Sequence, residues 1–402
     1  MTRRLFFALL SLATAQAAVY IARPMTSYRL LGLGAGPRDV GLVTAAFALL
    51  PLFLALPLGR RADRRHGVSL LVVGCAVQAV ACLLLAAAGS PLTLGAASAL
   101  LGLGHLGLAL GVQAVVARES KDERHDQHFG LLTAGVSLGQ LVGPLAGGLL
   151  LGDRTGRALV PATAHAMLVA AAIAVAALVC ALIAERGRDG SALAAGARAP
   201  GGRLVELLWT PGVPAGIFAS IAVLSAADVL TAYLPVLGEQ RGIGPSVVGG
   251  LLAIRALFSL TSRVGIGTLV RRVGRLRLIT VSAAAAAAAL VGMTYTHDVV
   301  ALAVLCAVVG AGLGFGQPLS MTLVVQLVPE HTRATALALR LTGNRLGQVA
   351  APAAAGAVAG SAGAGSVFWL LAAVLVASAG AVQRPAVRRR VADRAAPAHG
   401  SS

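Results

Sequence analysis

The stretch GVSLGQLVGPLAGG, residues 135–148, returns as GNRLGQVAAPAAAG at residues 343–356, a shift of 208 positions. Two more pairs of segments have the same shift without a gap. Gly36-Pro37-x-x-Val40-Gly41 matches Gly244-Pro245-x-x-Val248-Gly249, and Gly59-x3-Asp63-Arg64 matches Gly267-x3-Arg271-Arg272. Three matches at one shift indicate an internal duplication, and this duplication predicts a fold built from two similar halves.

The composition predicts a membrane protein. The 402 residues are 57% hydrophobic and 12% charged, which is too little charge to cover a soluble domain of this size. Apolar runs of about 20 residues, enough to cross a bilayer, recur along the chain. They predict twelve spans, near 4–23, 38–58, 68–88, 92–116, 129–151, 161–184, 211–237, 245–266, 276–296, 299–326, 334–358 and 364–383.

The repeat predicts how these spans are arranged. A shift covering six spans leaves both copies in the same orientation, as in a parallel repeat about an axis along the membrane normal. We expect an all-α fold of two six-helix bundles. The predicted divisions are an N-terminal half at 1–185, a cytoplasmic linker at 186–210, a C-terminal half at 211–384 and a disordered basic tail at 385–402.

The charge pattern predicts orientation. The net charge is +18, and most of the 33 Lys and Arg residues fall in loops that share one side of the membrane. This asymmetry favours both termini in the cytoplasm of a bacterial-type inner membrane, and it explains the basic charge without nucleic acid. Residues 1–18 resemble a secretory signal, but keeping them as span 1 preserves two matching halves.

The loop after span 2 carries the first family motif. It reads Gly59-Arg60-Arg61-Ala62-Asp63-Arg64-Arg65-His66-Gly67. With twelve spans in parallel halves, it resembles the major facilitator superfamily signature Gly-x3-Asp-Arg-x-Gly-Arg, although His66 and Gly67 replace the final pair. The resemblance implies a cytoplasmic latch built from Gly59, Asp63, Arg64 and Gly67. The alternative is a charged turn that only sets topology.

Span 5 carries a second motif, Gly130-x8-Gly139-x3-Gly143-Pro144-x2-Gly147-Gly148. It resembles the antiporter motif of the same superfamily and implies export in exchange for protons. Glycines spaced by four line one helix face and allow another backbone to approach closely. The Arg and Gln-Gly usual in span 4 of proton-coupled drug exporters are absent, and His105 is the one ionisable group there.

Polar residues at membrane depth are the candidate substrate and coupling site, because burying them in lipid is costly. We expect a central cavity that contains the polar residues of spans 4, 7, 8 and 11. These are Asp228, Arg255, Arg340, Asn344, Arg345, Gln348, His105 and Gln113. Asp228, the acid well inside a span, either carries the coupling proton or forms a structural ion pair with an arginine.

These features predict a secondary transporter, since there is no P-loop for ATP. The main hypothesis is proton-coupled export of small organic molecules or drugs. The first alternative is a symporter or exchanger of an anionic organic solute, because arginine binds carboxylate and phosphate well. The second is a membrane scaffold or sensor. We expect a monomer that is not an enzyme and needs no cofactor, metal or nucleic acid.

Overall fold

A computed structural model of the chain describes residues 2–62, 67–119, 125–186, 204–329 and 332–395, which form helices and short connections without a strand. The helices, numbered along the chain, are α1 (Arg3–Gly32), α2 (Pro37–Arg61), α3 (Gly67–Ala87), α4 (Pro91–Glu119), α5 (His125–Leu151), α6 (Leu159–Arg186), α7 (Leu204–Trp209), α8 (Val213–Gln240), α9 (Pro245–Thr261), α10 (Ile266–Val273), α11 (Arg275–Met293), α12 (Val299–Leu327), α13 (Arg333–Ala362), α14 (Gly365–Val382) and α15 (Pro385–Ala395).

The predicted spans all correspond to helices. Spans 1–6 are α1–α6, span 7 is α8, span 8 is α9 with α10, and spans 9–12 are α11–α14. Within the described ranges, ten helices are long and apolar enough to cross a bilayer, and α9 with α10 adds a bent eleventh segment. The twelfth, α13, has 30 residues, about 45 Å of helix, but it carries the polar stripe. The all-α membrane fold is therefore confirmed.

Span 8 is broken, where the hydropathy pattern predicts one helix over 245–266. α9 ends at Thr261, and α10 follows with its axis turned by 69°. Gly265 makes the turn at φ +76°, a conformation that costs glycine little. In α10 the apolar side chains Ile266, Leu269 and Val270 pack on the core of their unit, while Arg271 and Arg272 are exposed. α10 is therefore amphipathic, with one face on the protein core and the other exposed, unlike a helix that continues the span of α9.

The first compact unit consists of Met1–Ala197, Thr231–Ala256 and Pro352–Ala364. It contains α1–α6, together with the end of α8, most of α9 and the end of α13. Its core includes Leu5, Leu71 and Leu108, all fully buried. Segments of the second sequence half thus pack with the first six helices. The division into halves at 186–210 stays a prediction, and residues 187–203 of the linker lie outside the described ranges.

α1 runs on to Gly32, well past the predicted end of span 1. The extra turns are stabilised by Arg29, which is buried and was expected in a loop. Its guanidinium donates to the carbonyl oxygens of Ala88 and Val160 at 2.7 and 3.0 Å. Buried arginine is tolerated when its N–H groups find acceptors. Arg29 therefore ties α1 to the ends of α3 and α6 and continues the helix.

The second unit consists of Arg198–Leu230, Leu257–Ala351 and Gly365–Ser402. Its core joins apolar side chains of α7, α8, α11 and α12. Residues 385–395, expected to be disordered, form α15. Val387 of this helix is 3% exposed, and Gln383 just before it donates to the Thr280 hydroxyl at 2.7 Å. These contacts offset the entropy cost of ordering this segment, and the composition does not reveal them. Residues 396–402 lie outside the described part.

Candidate functional site

α13 carries the polar stripe on a face turned toward other helices of its own unit. Arg340, Asn344 and Gln348 recur every four residues and so lie one above another. Arg340 and Asn344 are 5% and 6% exposed. Asn344 accepts a hydrogen bond from the Ser220 hydroxyl on α8 at 2.9 Å. The stripe therefore forms part of the packed interior of the second unit.

A hydrogen-bonded chain joins the one acid of α8's interior to an arginine of α13. Gln348 Nε2 donates to Asp228 Oδ2 at 2.7 Å, and Gln348 Oε1 accepts from Arg345 Nη1 at 3.1 Å. The amide thus presents its donor to the carboxylate and its acceptor to the guanidinium. Asp228 is 8% exposed. This arrangement connects the carboxylate and Arg345 through a single amide, Gln348.

Arg340 has a different partner, which the sequence did not suggest. Its Nη2 donates to both oxygens of Gln317 on α12, to the side-chain Oε1 at 3.0 Å and to the backbone carbonyl at 3.3 Å. Gln317 lies in the glycine-rich part of span 10, where an isolated Gln among apolar residues was the available signal. The pair links α12 to α13 inside the second unit.

The other predicted site residues lie in the first unit. Arg255 of α9 is 4% exposed. His105 of α4 is half-buried, with its ring 5.8 Å from the Phe47 ring, and Gln113 is exposed. The structure thus brings together Asp228, Arg340, Asn344, Arg345 and Gln348 in one unit. A common cavity with the residues of the first unit stays a prediction.

The duplication also identifies a residue pair that sequence reasoning missed. Gln140 Nε2 donates to the Tyr20 hydroxyl at 2.9 Å, which joins α5 to α1. A shift of 208 positions carries Tyr20 to Asp228 and Gln140 to Gln348. The two halves therefore contain the same inter-helix hydrogen bond at matching positions. The phenol of the first half is replaced by a carboxylate in the second, and the offset could have revealed this.

Arg23 lies beside this first-half pair. Its guanidinium carbon is 4.8 Å from the centre of the Phe47 ring and 6.0 Å from that of Tyr20. Cation–π contacts of this kind are attractive within about 6 Å. Phe47 is the counterpart of Arg255 at the same shift of 208. The second half thus carries an arginine, on α9, at the position that Phe47 occupies in the first half.

The glycines of the span 5 motif pack α5 on α1. A Cβ added to Gly139 would lie 2.5 Å from Gln16 Cβ, and one added to Gly143 would lie 2.6 Å from Tyr20 Cβ. At Gly147 the nearest atom, in the Met25 side chain, would be 3.0 Å away, whereas Gly130 has open space. Three of the motif glycines therefore permit the close approach of α1, as small residues do between membrane helices.

Two matching glycine crossings join helices of opposite sequence halves within the first unit. A Cβ on Gly41 of α2 would lie 2.4 Å from the carbonyl oxygen of Pro352 and 2.5 Å from Gly356 Cα on α13. A Cβ on Gly249 of α9 would lie 2.5 Å from the carbonyl oxygen of Pro144 on α5. We call these two crossings the glycine seal.

The seal is extended by polar contacts at neighbouring positions. The Tyr233 hydroxyl donates to the Pro37 carbonyl at 2.8 Å. The Ser246 hydroxyl donates to Asp153 Oδ1 at 3.0 Å, and the Gly156 amide donates to Glu239 Oε1 at 3.1 Å. Each bond connects segments distant in sequence, so the repeated Gly-Pro-x-x-Val-Gly motif marks a contact between the halves.

The predicted latch is described in part. Asp63 and Arg64 lie outside the described residues. A Cβ added to Gly59, near the end of α2, would meet open space, whereas one added to Gly67, at the start of α3, would lie 2.7 Å from Ala114 Cβ on α4. Nearby, Arg118 Nη2 donates to the Ala62 carbonyl at 3.1 Å. These contacts hold the end of α2 and the start of α3 against α4.

The comparisons with known proteins agree with this architecture. The family model described as Major Facilitator Superfamily matches residues 5–339 and, in a second match, 218–399. A comparison with curated protein sequences found no match.

Similar solved structures include the nucleoside transporter NupG, with TM-score 0.75, 14% identity, and 95% of this chain and 98% of that chain covered. A bacterial homologue of the human lysosomal transporter Spinster, inward-facing and occupied, has TM-score 0.72 at 15% identity, with 98% of this chain and 97% of that chain covered. A POT family transporter in complex with 5-aminolevulinic acid has TM-score 0.73 at 16% identity, with 95% of this chain and 96% of that chain covered. At these identities the likeness shows the fold.

Proposed function

Because the chain belongs to the Major Facilitator Superfamily, we propose that it is a proton-coupled secondary transporter that exports small organic molecules by alternating access. The observation that carries this proposal is the chain from Asp228 through Gln348 to Arg345. It places one ionisable carboxylate in the interior of the second unit, where gain or loss of a proton changes a hydrogen-bonded link between α8 and α13.

Asp228 has the properties that a coupling group needs. It is a buried carboxylate, and Gln348 connects it to the Arg345 guanidinium. When Asp228 takes up a proton, the charge that orients the Gln348 amide is lost, and α8 and α13 are held together less strongly. A transport cycle that alternately strengthens and weakens this link would load and release the proton.

The glycine seal supports alternating access. Backbone contacts this close exclude side chains between α2 and α13 and between α5 and α9, so the seal would close the transport path at one end. Opening requires both crossings to separate. We propose that the loop of Gly59, Asp63, Arg64 and Gly67 acts at the opposite end as the latch that alternates with the seal.

The export direction rests on the antiporter resemblance of the span 5 motif, whose glycines Gly139 and Gly143 allow α1 to pack closely on α5. Consistent with the loop charges, we place both termini in the cytoplasm of an inner membrane and expect a monomer. The second candidate is symport or exchange of an anionic solute, favoured by the burial of Arg340 beside Arg345 on α13.

Transport in proteoliposomes tests this proposal. The purified chain is reconstituted, and radiolabelled compounds are supplied to vesicles with an acidic lumen, an alkaline lumen or a gradient collapsed by an ionophore. A proton antiporter accumulates its substrate when the lumen is acidic and merely equilibrates it when the gradient is collapsed. Accumulation with an alkaline lumen would replace export with symport. Accumulation that ignores the gradient would contradict proton coupling.

A further inference from the structure

Arg340 is a buried cation whose hydrogen bonds go to uncharged groups. It is 5% exposed, and in the part of the chain that the structure describes its hydrogen bonds end on the two oxygens of Gln317. Burying a charge is costly unless an opposite charge is near. The neighbouring Arg345 differs, because Gln348 connects it to the Asp228 carboxylate.

Two donors of this pair have no acceptor within the described part of the chain. Arg340 Nε and Gln317 Nε2 are both buried, and neither has a hydrogen-bond partner among the described residues. Buried polar groups in proteins are nearly always paired. The two donors belong to side chains that a hydrogen bond already joins. An acceptor with a negative charge would pair these donors and balance the buried guanidinium charge.

We propose that Arg340 and Gln317 form the subsite that binds the carboxylate of an organic acid, which would make monovalent organic acids the substrate class. This inference rests on the proposed transport function. One carboxylate oxygen would accept from Arg340 Nε and the other from Gln317 Nε2, which satisfies both donors at once. A carboxylate carries a single charge that matches the single guanidinium, whereas phosphate would add an excess negative charge.

Ligand-induced stabilisation of the purified full chain tests this subsite without any transport assay. Benzoate is the probe, and benzamide, of the same shape without the charge, is the matched neutral compound. A ligand that binds the folded state raises Tm with its concentration. We expect benzoate to raise Tm, and we expect benzamide, chloride and inorganic phosphate to leave it unchanged.

Gln317→Glu is the decisive variant, because it gives Arg340 a carboxylate of its own at the same position. It should weaken benzoate binding by about 30-fold or more, as loss of a buried charged partner does, and raise Tm without ligand. Gln326→Glu is the matched control, since Gln326 lies on the same helix and accepts a hydrogen bond from Arg275 at an exposed position. It should keep the benzoate shift.

Arg340→Met provides a second variant if Gln317→Glu folds poorly, and it should abolish the benzoate shift. The proposal is overturned if benzoate stabilises wild type and Gln317→Glu equally, if benzamide matches benzoate, or if phosphate stabilises and benzoate does not. It is also overturned if none of these compounds stabilises the wild-type protein. The benzoate shift is measured on purified protein without a pH gradient, so a failure of proton coupling remains distinguishable from a failure of this subsite.

Discussion

Replacing Gly249 with alanine should weaken the glycine seal. The added Cβ would lie 2.5 Å from the Pro144 carbonyl oxygen, whereas ordinary contact begins at 3.4 Å, so α9 and α5 must separate by about 0.9 Å. This oxygen and the next nearest atom, Gly148 Cα at 3.0 Å, both belong to the backbone and cannot rotate away. Overpacking of this kind typically costs about 1–3 kcal/mol. That cost would shift the balance between sealed and open states by a factor of about 5–150.

Hydrogen–deuterium exchange of the reconstituted chain measures this shift. The Ser246 amide donates to the Gly152 carbonyl and the Gly156 amide to Glu239, both next to the crossing. These amides should exchange faster in Gly249→Ala. The control is Gly250→Ala, one residue further along α9, where a Cβ meets nothing within 4 Å and the gain in helix propensity is the same. Unchanged exchange in a folded Gly249→Ala protein would refute the seal.

Three further predictions concern the latch, α5 and the topology. Asp63→Asn should lower transport while expression stays near wild type, and full transport activity would reduce the loop to a topology signal. Gly143→Leu should block transport and lower Tm, because its side chain collides with Tyr20 on α1, while Gly130→Leu on the same helix has open space and should lower Tm far less. A reporter fused after Gln383 should be cytoplasmic in cells, and a periplasmic reporter would overturn the predicted orientation.

Much of the fold could be predicted because hydropathy is a local property of the chain. Apolar runs of sufficient length located every span, and the constant shift of 208 residues gave the relation between the copies. The break between α9 and α10 was missed because the long apolar run of α9 outweighs Ser262, Arg263 and Gly265 in a window of about 20 residues. The positive φ of Gly265 and the exposure of Arg271 and Arg272 are consistent with a turn at this point, but the structure is needed to locate it.

The polar residues inside α8 and α13 could be identified from the sequence, whereas their hydrogen-bond partners could not. Asp228 and Gln348 could each be identified as polar groups at membrane depth, but they lie 120 residues apart and their hydrogen bond depends on how α8 meets α13. Arg340 pairs with Gln317, which the sequence marks only as an isolated polar residue in an apolar span. The duplication maps the Tyr20–Gln140 pair onto Asp228–Gln348, so the shift of 208 residues alone could have indicated that Asp228 pairs with Gln348.

Proton coupling through Asp228 is tested most directly by Asp228→Asn in proteoliposomes. The substitution keeps the shape of the side chain and mimics the protonated form. Glu185→Gln is the matched control, because it neutralises a carboxylate whose described partner is the Ser69 hydroxyl. Two rates are compared in each variant, namely accumulation driven by a pH gradient and exchange of substrate at equal concentrations.

We expect Asp228→Asn to lose gradient-driven accumulation and keep exchange, and Glu185→Gln to retain both. Gradient-driven accumulation at the wild-type rate in Asp228→Asn would contradict proton coupling through Asp228 and leave this residue as a structural partner of Gln348.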